Sequence, residues 1–155
     1  MIYTECKPDT TLVKNLGIRR GQIFHQGGKS KVCKQVEKHV NCKGLVDEDP
    51  FSNQPPYLKK LQVKDNLPDY GFKILHDNSN NNDLLVLCPR LEEWILEAAK
   101  QARVDIKKYN LPNNAKELHE AIETGNNKFE KLIRNLKGKS ERIKALERSI
   151  KRKMQ

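Results

Sequence analysis

The chain reads as an α/β protein with a mainly parallel sheet of about four strands flanked by helices. Short β-prone runs alternate with helix-length amphipathic segments over the first hundred residues, and strands joined through helices pair in parallel. Glycine-bearing turns separate the runs. The length of 155 residues suits one such domain followed by an appendage.

"MIYT" opens the chain as a short strand, and Asp9, Thr10 and Thr11 supply a cap for a helix carrying Leu12, Val13 and Leu16 that Gly17 ends. "QIFH" is a second strand, followed by the turn "QGGKS" and a helix with Val32, Cys33, Val36 and Val40 on one face. A third strand, "KGLV", runs into Asp47, Glu48 and Asp49. The proline-rich stretch from Pro50 to Gly71 predicts a long loop with one helical turn at Tyr57 to Gln62. "FKILH" and "LLVLC" are β-prone and separated by the turn-like "DNSNNND", giving a fourth strand with a hairpin left open. After Pro89, Leu91, Trp94, Ile95 and Ala98 form the apolar stripe of a helix. From Asn114 onward the spacing is helical, with breaks at Gly125 and Gly138 and a last stripe of Ile143, Leu146 and Ile150.

A formal charge of +10 predicts an anionic partner, foremost nucleic acid. Much of the excess falls between Asn126 and Gln155, where Lys137, Lys139, Arg142 and Arg148 are candidates for phosphate contacts. The same stretch also reads as a helix packed through its apolar stripe, with solvated lysines on the other face. No apolar run is long enough to span a bilayer and the N-terminus lacks the plan of a signal peptide, so no membrane association and a cytoplasmic location are expected. Cys6, Cys33, Cys42 and Cys88 are spread as free thiols would be. Cys33, His39 and Cys42 match no standard zinc spacing. His25, His39, His76 and His119 have no recognisable partner spacing, and Trp94 and Tyr57 are alternatives as base-stacking or core residues.

In a parallel sheet, residues just after the strands gather at one rim. Glu5, Asp9, Asp47 and Asp49 are expected there, with Asp47 and Asp49 sharing a direction if the backbone stays extended. Carboxylates so close repel one another unless a cation neutralises them, and an all-oxygen set suits Mg²⁺ or Mn²⁺. Each acid alone also fits a plainer role: Asp9 a helix cap, the triplet a solvated turn, Glu5 a surface residue.

The order Glu-x-x-x-Asp ("ECKPD"), Gly-Gly-Lys ("QGGKS") and Asp-x-Asp ("VDED") resembles the Toprim domain, nearest its OLD-type nuclease branch, and "CPRLEEWIL" resembles the segment where a glutamate opens the helix after the fourth strand. The resemblance covers roughly residues 1 to 100, implying a catalytic domain over 1–102 and a basic helical extension over 103–155. It departs at Cys6, where the family usually has glycine, and in the proline-rich segment. It implies that Glu5, Asp47 and Asp49 hold a divalent metal, with Asp9 completing a second position and Glu92, or Glu93 one register away, as a further ligand, although both glutamates equally fit the plain role of favourable charge at a helix start. Gly27 and Gly28 would admit a phosphate whose charge Lys29 offsets, the alternative being a plain glycine loop. The implied activity is two-ion cleavage of DNA or RNA, with a separate ATPase or regulatory protein as partner and a homo-oligomer left open. A non-catalytic nucleic-acid-binding or assembly subunit is the alternative. A receiver-like signalling domain fits "ECKPD" less well.

Overall fold

Six strands, β1 (Ile2–Thr4), β2 (Ile23–His25), β3 (Lys43–Asp47), β4 (Gln62–Leu67), β5 (Phe72–Asp77) and β6 (Asn82–Leu87), form one mixed sheet in the order β2-β1-β3-β6-β5-β4. The computed structural model describes residues 1–125 and 127–154; Asn126 and Gln155, which bound the basic stretch, lie outside the described residues. Strands β2, β1, β3 and β6 are mutually parallel, whereas β5 is antiparallel to β6 and β4 to β5. The α/β class therefore holds, but the expected four-strand, mainly parallel sheet is a six-strand mixed one.

The added strands have a physical reason. β4 occupies the edge, exposes side chains on both faces, and shifts register between Val63 and Asp65. An edge strand wet on both faces has no apolar alternation for a sequence to display. The helical turn expected at Tyr57 to Gln62 is a short 3₁₀ turn at Pro56–Lys60, and Gln62 already belongs to β4. β5 and β6 form the hairpin, their turn held by Asp77 Oδ1 accepting from the amides of Ser79 and Asn80.

Helices α1 (Lys7–Asn15), α2 (Lys29–Lys38), α3 (Leu91–Gln101), α4 (Ala115–Glu123), α5 (Asn127–Lys139) and α6 (Glu141–Lys151) complete the chain. Period-two alternation sorts the strands between two cores. Ile2, Leu45 and Leu85 face α1 and α3 to α6, while Tyr3, Val46 and Leu84 face α2 and the 3₁₀ turn. Gly44 lets α2 approach the sheet: a Cβ there would lie 2.7 Å from Leu84 Cδ1 and 3.0 Å from both Val32 and Val36.

Three boundaries differ from expectation. α1 starts at Lys7 with Cys6 as its cap, so Asp9 is the third helical residue and not the cap. α2 stops at Lys38, leaving Val40 63% exposed instead of on its apolar face. The break expected at Gly138 falls at Ser140, whose hydroxyl accepts from the Ile143 amide at 3.2 Å and caps α6.

The core also runs across the boundary drawn at residue 102. Phe129, Leu132, Ile133 and Leu136 of α5, and Ile143, Leu146 and Ile150 of α6, share one apolar cluster with Ile2, Leu12 and Leu45. The last stripe is thus covered by the chain's own sheet. Trp94 is fully buried with its indole N–H donating to the Tyr70 carbonyl at 2.8 Å, and buried Tyr57 donates to Asp77 at 2.7 Å. Both are core residues, not base-stacking ones.

Lys43, at the start of β3, is buried and donates through Nζ to the carbonyls of Ser149 at 2.9 Å, Ile150 at 2.8 Å and Arg152. The last turn of a helix leaves carbonyls without intrahelical donors, and its partial negative charge favours a cation. Lys43→Met is expected to cost about 2–3 kcal/mol and to lower Tm by roughly 5–10 °C in thermal denaturation. A melting temperature unchanged from wild type would contradict the clamp.

Candidate active site

At the opposite rim, the C-terminal ends of β1 and β3 and the N-terminal ends of α2 and α3 enclose a cleft of about 610 Å³. Glu5, Cys6, Gly27, Gly28, Asp47 and Asp49 line one side, and Arg90, Glu92, Glu93 and α4 line the other. The structure thus brings together Glu5, Asp47, Asp49, Glu92 and the glycine turn, residues far apart in sequence.

Local chemistry fixes each acid. Glu5 follows β1 directly, and its Oε2 accepts from the Asp47 amide at 3.0 Å. Asp47 ends β3 and accepts through Oδ1 from the Leu91 amide at 3.0 Å, joining the strand end to the first turn of α3. Asp9 lies beneath them, fully buried, with Oδ2 accepting from the Cys6 amide at 3.0 Å and the Cys6 thiol at 2.8 Å. Its Oδ1 is buried with no hydrogen-bond partner.

Asp49 reaches the cleft by a route other than strand alternation. β3 ends at Asp47, and Asp49 has a φ of 41°, a left-handed conformation that aspartate tolerates better than most residues. Its amide donates to the Pro89 carbonyl at 2.9 Å. Glu48 points elsewhere, as expected, pairing with Lys73 at 3.3 Å.

The acids are electrostatically strained. Burial, foremost, and then Asp9, Glu5 and Glu92 push the Asp47 carboxyl far above the usual range. Asp9 is raised first by burial, against lowering by the Cys6 hydrogen bond, with Glu5 and Glu92 adding to the rise. Burial also raises Glu5, more than its bond from the Asp47 amide and the Lys29 charge lower it.

Gly27, at a φ of 90°, and Gly28, the N-cap of α2, form the turn. The Gly27 amide donates to the Glu5 carbonyl at 2.9 Å, holding the turn against the end of β1. A Cβ at either glycine would meet nothing within 4 Å, so the space above the turn is open to a ligand. Lys29 turns away: its Nζ donates to the Glu48 carbonyl at 2.8 Å and to Gln54 at 2.6 Å.

Sequence reasoning missed His119. It projects from α4 into the cleft wall, with Nδ1 2.7 Å from Glu92 Oε1 and Nε2 3.0 Å from Glu123 Oε1. Only the imidazolium donates to both carboxylates at once, and the Glu92 hydrogen bond, the largest influence, raises its pKa. The partners are 27 residues apart, a separation that no local spacing rule detects.

The predicted basic contacts separate. Arg142 is a packing residue: it is buried, bonds Gln101 at 3.2 Å, and lies so close over Gly71 that a Cβ there would come 2.1 Å from its Nη1. Lys137 pairs with Glu147 at 3.2 Å, whereas Lys139 and Arg148 are exposed. None of the four lines the acidic cleft.

Among the described residues, no three carboxylate, thiol or imidazole groups stand closely enough about one point to hold an ion as they are. The donor set nevertheless fits a hard divalent cation: it is all oxygen, mutually repelling, and two acids of this rim, Asp9 and Glu93, each carry a buried oxygen without a hydrogen-bond partner. Among the described residues no helix is long and apolar enough to cross a membrane. No family model, curated protein or solved structure matches the chain.

Proposed function

We propose that this chain is a divalent-metal-dependent phosphodiesterase acting on nucleic acid, with a Toprim-like site. The observation that carries the proposal is the meeting of Glu5, Asp47, Asp49 and Glu92 with the Gly27–Gly28 turn in one cleft. The acids and the turn occupy strand ends in the order that the resemblance implies, and the net charge of +10 suits a polyanionic substrate.

Glu5, Asp47 and Asp49 would hold one Mg²⁺ or Mn²⁺, with Asp9 and Glu92 available to a second. When bound, the ions supply Lewis-acid activation of water and neutralise charge at the leaving oxygen. The open glycine turn lets a phosphate approach the start of α2, where amides and the helix dipole favour an anion. Lys29, released from Glu48 and Gln54, would offset the phosphate charge. In the alternative to ligation, Glu5, whose pKa is raised, would exchange a proton with the reacting oxygen, leaving Asp47 and Asp49 to hold the ion. His119 holds Glu92 against the wall of α4. A separate ATPase or regulatory partner remains part of the proposal.

The test is cleavage of labelled single- and double-stranded DNA and RNA with Mg²⁺ or Mn²⁺, comparing wild type with Glu5→Gln. The glutamine keeps an acceptor for the Asp47 amide and removes only the charge. Ion-dependent cleavage falling by about a hundredfold or more is expected. Nucleic-acid binding without cleavage at any ion concentration would instead favour the non-catalytic binding subunit.

A further inference from the structure

A second cleft, of about 450 Å³, opens behind the acidic one. Lys29, Lys59 and Lys73 stand around an apolar floor of Leu58, Leu75 and Val86, with Glu48 the one acid in the lining. The two clefts share a wall. Gly27, Gly28 and Asp49 line the acidic cleft, while their chain neighbours Lys29, Glu48 and Pro50 line the second.

Beside Pro50, Phe51 is fully exposed at the tip of the dividing loop. The loop is held in place: the Ser52 amide and hydroxyl donate to the Asp49 carbonyl, and Gln54 Nε2 donates to the carbonyls of Asp49 at 3.0 Å and Ser52 at 3.1 Å. An aromatic ring is thus presented to solvent by a braced loop, one residue beyond Pro50 of the lysine-ringed cleft and two beyond Asp49 of the carboxylate cleft, without lining either. Ammonium groups suit phosphates, whereas an apolar floor and an exposed ring suit the faces of unstacked bases. A duplex keeps its bases stacked and offers neither surface a base face.

We propose that the second cleft binds unpaired nucleotides flanking the scissile phosphodiester, making single-stranded nucleic acid the substrate class of the acidic site. One base would lie on Leu58, Leu75 and Val86, the next would stack on Phe51, and Lys59, joined by Lys73 on exchanging its Glu48 partner, would hold the intervening phosphates, with Lys29 kept for the scissile one. This rests on the phosphodiesterase proposal and narrows it.

The experiment measures binding of a short labelled single strand and of its duplex by fluorescence anisotropy without divalent ions, using wild type, Phe51→Ala/Lys59→Ala and Asp47→Asn, with metal-dependent cleavage assayed in parallel. Both Phe51 and Lys59 are exposed, so the double variant should fold. Wild type is expected to prefer the single strand by at least tenfold. The double variant should weaken single-strand binding by at least tenfold and reduce the salt slope by about 0.7 for the lost lysine, while Asp47→Asn still binds. Unchanged single-strand affinity in the double variant, or preference for duplex, overturns this assignment even where metal-dependent cleavage persists. Single-strand binding lost as expected, with no cleavage by wild type under any ion, keeps the cleft and overturns the phosphodiesterase proposal instead.

Discussion

Asp47→Asn is expected to make the ion-free protein more stable while removing the proposed metal-dependent cleavage. Asparagine retains an oxygen for the Leu91 amide, which Asp47 now serves at 3.0 Å, so the link between β3 and α3 survives. Only the ionisable group is lost, and burial together with Asp9, Glu5 and Glu92 already opposes its charged form. Relief of about 1–2 kcal/mol should raise Tm by roughly 3–6 °C without divalent ions. In the same variant, cleavage should fall roughly a thousandfold and the stabilisation given by Mg²⁺ should disappear. Opposite movements of stability and activity distinguish a strained functional acid from a structural one. A variant that melts lower than wild type in the absence of ions would remove the basis for electrostatic strain at this rim.

Stability should also respond to pH and ions together. Glu5, Asp9 and Asp47 all have folded-state pKa values raised above their ordinary carboxylate values. A raised value means that the folded state holds its protons more tightly than the unfolded chain. The contribution is therefore complete below the unfolded pKa values near 4 and is lost as pH rises through the folded ones. Ion-free protein should lose stability from pH 4 up to about 9 on account of this cluster, Asp47 being pushed up to about 9. Divalent ions bind the deprotonated form, so their effect should be largest where the loss is greatest. At a hundredfold excess over Kd, an ion adds about 2.7 kcal/mol, or roughly 5–10 °C in Tm. Thermal melts with and without Mg²⁺ or Mn²⁺ at pH 5 and pH 8 measure this directly. An equal ion-induced gain at both pH values would separate ion binding from the titrating cluster.

Much of this rim was legible because strand ends in a parallel sheet obey geometry. Locating "MIYT" and "KGLV" as strands was enough to bring Glu5 and Asp47 together, and they do meet through a hydrogen bond. Asp49 lines the cleft for a different reason than alternation suggested, since a left-handed turn re-aims it. β4 escaped notice because an edge strand wet on both faces leaves no periodic trace. His119 escaped because its contact with Glu92 is tertiary, and Arg142 misled because a buried guanidinium over Gly71 has the same letter as one facing solvent. The basic composition of the C-terminal helices concealed their inner side: Ile143, Leu146 and Ile150 close the core of the sheet.

The Lys43 clamp sets an order on biosynthesis. While α6 is still missing, the lysine side chain at the start of β3 has no helix end to receive it. A nascent chain can form hairpins and helices early, but it must be synthesised past Arg152 before this ammonium can be satisfied within the fold.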